Sequence, residues 1–122
     1  MNKKNCASKE IMVFPLNLPQ RTALWISLDL LDFSKETNDA AAAMKICKRL
    51  QKLDGKDQFI DFELGISDAR LAAHALVFAV QYLNGLHPYI DETFPAFSRL
   101  AKELREHSPV VRNLWHRFRE FV

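Results

Sequence analysis

Ile60-Asp61-Phe62-Glu63-Leu64-Gly65-Ile66 sets an apolar residue at every second position. That period marks a strand with one buried face. Met12, Phe14, Leu16 and Leu18 repeat the pattern 48 positions earlier, Met12 standing to Ile60 as Phe14 to Phe62. An amphipathic run follows the first alternation from Pro19, and an apolar run follows the second from Ser67. The chain therefore reads as two strand-then-helix units, each followed by further helix. Downstream of Phe14/Phe62 and Leu16/Leu64 little is identical between the units, so duplication and shared patterning both remain open.

Working outward, the first strand covers about Ile11 to Leu18. Pro15 has no N–H to give a ladder, which makes this strand an edge or turns residue 15 outward. Helix one follows from Pro19 to Ser34, apolar over most of its circumference. Helix two covers about Asn38 to Leu53, with Ala43, Ile46, Cys47, Leu50 and Leu53 inward and Gly55 as its stop. The second strand, Phe59 to Ile66, leads through Ser67 as N-cap into helix three, which ends at Gly85. Helix three is apolar apart from the stripe Arg70, His74 and Gln81, which nominates it as the core helix. Thr93 is the expected cap of helix four, whose inner face is Phe94, Phe97, Leu100, Ala101 and Leu104. Helix five starts at Ser108-Pro109 and turns Val111, Leu114, Trp115, Phe118 and Val122 inward.

The expected fold is a helix-dominated α+β domain, β-α-α-β-α-α-α, with two short strands paired beneath a helical layer. An all-α bundle is the alternative. At 122 residues the chain fits one domain, taken as residues 11–122 behind a flexible tail of residues 1–10. Only three Gly and five Pro argue against a many-turned all-β protein. The sequence leaves open whether the strands pair within one chain or across a dimer.

The net charge of +2 selects no partner class. Its distribution says more. Asp29 to Asp39 is acidic, and Lys45, Lys48, Arg49 and Lys52 follow on helix two with Lys56 just past its end. At 100° per residue these five bases fall within about 100° of arc. They could track phosphates, as could Arg112, Arg117 and Arg119 of the last helix. An ordinary solvated helix face is the competing account.

Cys6 and Cys47 show neither metal-ligand spacing nor a CxxC motif, and read as free thiols of a reducing cytoplasm, with a bridge between them as the alternative. A secretory signal is not expected from the basic start, and the longest apolar run, Leu71 to Val80, is too short for a bilayer, so no membrane role is expected. Glycine-rich phosphate loops, GxSxG and HExxH are absent, and no cofactor or metal is expected. His74 could serve as an acid or base if buried. His87 with Asp91 and Glu92 offers ligand types at no established spacing.

Helices one and three carry more apolar surface than a small domain encloses. The surplus points to a protein interface, with Trp25, Phe33, Phe78 and Tyr82 as its anchors. The functional expectation is a non-enzymatic cytoplasmic accessory or regulatory protein that binds a protein partner or a second copy of itself. Nucleic-acid binding through the basic faces is the alternative, and an enzyme centred on a buried His74 is the third.

Overall fold

The computed structural model describes residues 10–35, 39–53 and 58–121. The tail before Glu10, Cys6, Asn38, Gly55, Lys56 and Val122 lie outside the described residues. The elements are β1 (Ile11–Leu16), α1 (Leu18–Phe33), α2 (Ala40–Gln51), β2 (Ile60–Gly65), α3 (Ile66–Leu83), α4 (Pro95–Glu106) and α5 (Ser108–Phe118), then a 3-10 turn, Arg119–Phe121. This is the helix-dominated α+β order that the periodicities imply.

β1 and β2 pair antiparallel within one chain, from Ile11↔Gly65 to Leu16↔Ile60. The two phenylalanines that correspond in the sequence repeat, Phe14 and Phe62, lie directly opposite each other in this register. Alternation then divides the ribbon. Phe14, Leu16, Phe62 and Leu64 are buried, while Ile11, Val13, Pro15, Asp61 and Glu63 face outward.

Both strands end before the alternation does. Leu18 and Ile66 are the first residues of helices, again 48 apart. At α1 the switch is made by Asn17, whose side chain accepts from Gln20 N–H while the Gln20 side chain accepts from Asn17 N–H, both at 2.9 Å. This reciprocal capping box satisfies two otherwise unpaired donors, and Pro19 fits the same turn. At α3 the N-cap is Gly65 rather than Ser67, without a side-chain cap, and Asp68 supplies the favourable first-turn charge. Thr93 is likewise not a cap. Phe94 holds that position, and Thr93 donates to Asp91 instead.

α3 is the central helix. Ala69, Ala72, Ala73, Ala75 and Ala79 are all fully buried, and such short side chains let neighbouring helices approach closely. α1 and α5 both pack on α3. Phe14 stacks on Phe118 of α5 with ring centroids 4.3 Å apart, which joins the ribbon to the helical layer. Each fully buried Leu of this core, Leu24, Leu28, Leu76 and Leu114 among them, contributes roughly 1.5–3 kcal/mol through removal from water.

Three arginines secure the ribbon. Arg21 is only 4% exposed and donates to the carbonyls of Leu16, at 2.7 Å, and Gln58, at 2.9 Å. It ties the end of β1 to the approach to β2. Arg49 donates to the Glu63 carbonyl, and Arg117 donates to the Pro15 carbonyl at 3.1 Å. Each edge of the two-stranded sheet thus has a carbonyl occupied by a guanidinium, and Pro15 removes an N–H. Further strands find a blunted template.

Candidate protein-docking groove

One face of α1 is not closed by the fold. Leu18, Thr22, Trp25, Asp29 and Phe33 recur at three- and four-residue spacing, so they stack along a single stripe. None of them is fully buried, and Phe33 is 45% exposed. α2 and α4 flank the stripe and make it the floor of a groove.

Trp25 divides the groove in two. On one side Leu18, Thr22 and Trp25 face Leu50, Gln51 and Leu53 across a cleft of about 210 Å³ that Arg21 also lines. On the other, Trp25, Asp29, Asp32 and Phe33 face Ala96, Arg99, Leu100 and Glu103 of α4 across about 360 Å³. Phe33 packs at a tilt against buried Phe97, 5.1 Å between ring centroids, and stays partly exposed.

The second cleft is acidic. Asp29, Asp32 and Glu103 meet there, and among the described residues none of the three forms an ion pair. The Asp29 carboxyl is held above the usual carboxylate range, first by partial burial and then by Asp32 and Glu103. The same field reaches the Cys47 thiol. Burial, reinforced by Asp29 and Asp32, pushes it up to about 12, so at neutral pH it is an uncharged core residue and no nucleophile.

Only half of the expected interface set lies on this surface. Trp25 and Phe33 line the groove, whereas Phe78 and Tyr82 are 3% and 7% exposed and belong to the core. Phe78 packs against the His87 ring at 4.3 Å. The Tyr82 hydroxyl donates to Glu92. Burial, then that carboxylate, raise the phenol to about 12.

The basic candidates separate in the same way. Lys45 and Lys48 stand exposed on α2 and Lys52 at its C-cap, and Arg119 is exposed beyond α5. Arg49 and Arg117 hold the ribbon edges, and Arg49 also lies over the Phe62 ring at 4.7 Å. Arg112 donates to Asn84 at 3.0 Å and joins α5 to the end of α3.

His74 is exposed on α3, which removes the premise of a buried catalytic histidine. Asp29 and Asp32 line a cleft with Glu103 and Arg99. His87, Asp91 and Glu92 each serve the connector before α4. His87 contacts Tyr89 and Gln81, Asp91 accepts from Thr93, and Glu92 pairs with Arg105 at 2.8 Å. Among the described residues no group of three His, Cys, Asp or Glu is placed to hold a metal. No helix of the described residues is long and apolar enough to cross a membrane.

Sequence reasoning missed Asp29, Asp32, Arg99 and Glu103 as a constellation. The stripe of α1 was legible as a break in its apolar circumference, but its pairing with α4, some seventy residues on, was not. Comparison with protein-family models, with curated proteins and with solved structures finds no match to this chain.

Proposed function

We propose that this chain is a non-enzymatic accessory protein that acts by holding a protein segment against the open face of α1. The observation that carries the reading is the groove itself: Trp25 and Phe33, large apolar side chains, stay partly exposed along one stripe between two helical walls. Aromatic anchors in a groove of this form suit an amphipathic helix. The reading places the protein in the reducing cytoplasm, in keeping with its two cysteines.

Nucleic-acid binding through Lys45, Lys48, Lys52 and Arg119 is the weaker reading. Arg49, Arg112 and Arg117 already serve the fold. The outer face of the ribbon carries Asp61 and Glu63, which repel phosphates where a ribbon would enter a groove of DNA.

The test is a titration of isotope-labelled protein, followed at the Trp25 indole N–H with Trp115 as the internal control. Three helical peptides of about five turns share a leucine stripe and differ in carrying Lys, Glu or Gln elsewhere. A fourth series raises the protein concentration alone. Movement of the Trp25 signal in any series supports the reading. A Trp25 signal fixed in all four overturns it.

A further inference from the structure

The groove and the basic face of α2 are unsatisfied in opposite senses. On the groove side, Asp29 and Asp32 are three residues apart on α1, with Glu103 across the cleft. Among the described residues Arg99 is the one cation lining that cleft, against three carboxylates. On the α2 side, Lys45 and Lys48 are three residues apart, and Lys52 follows one turn on. At 100° per residue the three lysines lie within about 60° of arc. Among the described residues none of them forms an ion pair. Met44, 49% exposed, adjoins this row and offers an apolar contact.

The two spacings match. A pair three residues apart on a helix is separated by about 4.5 Å along the axis, so Lys45 and Lys48 reach Asp29 and Asp32 together when two such helices lie side by side. α2 also walls the groove, through Leu50, Gln51 and Leu53, so one copy carries an acidic patch and a basic patch on two helices that pack together. Two patches of opposite sign on the same copy are what a two-fold interface requires. Each copy presents its lysines to the other's carboxylates, and the same contact is made twice.

We propose that the occupant of the groove is a second copy of this chain, with the Lys45–Lys48–Lys52 face of α2 in each copy laid against the Asp29–Asp32–Glu103 wall of the other. Trp25 and Phe33 supply the apolar contact at the centre, and Met44 of the facing copy meets them. This rests on the reading of the α1 groove as a protein-docking surface. The contact weakens with salt, because its charges lie at a solvent-accessible rim.

The test is light scattering on the full chain over a range of concentrations and at two salt levels. Two charge-reversed variants accompany it: D32K/E103K in the groove, and K45E/K48E on α2. The expected result is a mass that rises from 14.1 kDa toward twice that value, more readily at low salt. Each variant alone shows an apparent Kd weakened by about tenfold or more, since like charges then face each other. An equimolar mixture of the two recovers association, because both contacts of the mixed pair again join opposite charges. Circular dichroism checks that each variant folds, and the neutralised D32N/E103Q and K45Q/K48Q replace any that does not.

A monomer at every concentration overturns the proposal, as does a dimer indifferent to both reversals or a mixture that fails to recover. The docking reading is judged separately: peptides that move the Trp25 signal of a strictly monomeric protein sink the self-association and leave the groove.

Discussion

The two halves of the molecule start alike and finish differently. Each begins with a six-residue strand centred on a buried phenylalanine and turns at once into a long helix. The second half then adds α5, which packs along α3 and stacks Phe118 on the ribbon. The first half adds only α2. Positions 48 residues on from Arg21, Trp25, Asp29 and Asp32 hold Ala69, Ala73, Val77 and Val80, of which the two alanines are fully buried. Where the second half packs small apolar groups under its neighbours, the first keeps an aromatic and two carboxylates within reach of solvent. Corresponding positions therefore do different work: closing the core in one half, presenting a surface in the other.

The largest effect expected from this contrast is at α5. Phe118→Ala opens a cavity beside Phe14 and costs about 3–5 kcal/mol in chemical denaturation. Trp25→Ala costs about 1 kcal/mol, the centre of the range for single substitutions, because its face is already partly hydrated. Equal losses at the two sites would break the contrast and make Trp25 a core residue.

Next comes the buried guanidinium that stands where the second half has an alanine. Arg21→Met leaves the carbonyls of Leu16 and Gln58 short of a donor, at a cost of about 1–3 kcal/mol. The loss is read from the denaturation midpoint, and a neutral result would mean that water replaces the guanidinium without penalty.

The helix stops sharpen the comparison further. α3 ends at Gly85, φ +77°, with Leu86 N–H donating to Gln81 and Gly85 N–H to Tyr82. That is a Schellman stop with the residue it favours. α1 turns with the same left-handed geometry at Lys35, φ +61°, with Lys35 N–H donating to Asp32. A Cβ at Gly85 meets nothing within 4 Å, so Gly85→Ala is penalised by backbone conformation alone, about 1 kcal/mol. Lys35→Gly relieves that strain and stabilises by up to about 1 kcal/mol, partly offset by unfolded-state entropy. Thermal midpoints that move in the same direction would show that the two stops are not equivalent.

The smallest effect is electrostatic. Asp29 is raised above its ordinary value, so the folded state holds this proton more tightly than the unfolded chain does. Its contribution is favourable below the ordinary carboxylate range and is lost as pH rises through the raised value. Asp29→Asn should therefore stabilise the protein at neutral pH, by about 0.2–0.5 kcal/mol for removal of one like-charge neighbour on the helix. The gain shrinks on acidification, when the native carboxyl is neutral too. A gain that persists unchanged at low pH would show that repulsion from Asp32 and Glu103 is not its source.

Much of this was legible without coordinates, and the reason differs by element. Alternation over Phe14 and Phe62 revealed both strands because the pleat imposes period two on any half-buried strand. Gly85 and Pro109 marked helix boundaries, glycine because it takes a left-handed stop without a Cβ penalty and proline because it has no N–H to give a preceding turn. Leu18 and Ile66 misled by fitting both periods, and only the Asn17–Gln20 cap and the extended backbone of Gly65 assign them to helices. Phe78 and Tyr82 misled for another reason. Composition counts apolar surface but does not say which neighbour covers it.

By itself, then, the amino-acid order determined the elements, their sequence along the chain and the apolar face of each, because these follow from local backbone preference and periodicity. The tertiary structure alone decided which face of α1 stays open, which arginines hold the ribbon edges, and that Asp29, Asp32 and Glu103 share one cleft. Those outcomes depend on contacts between residues far apart in the chain, and no local pattern encodes how helices from its two ends pack together.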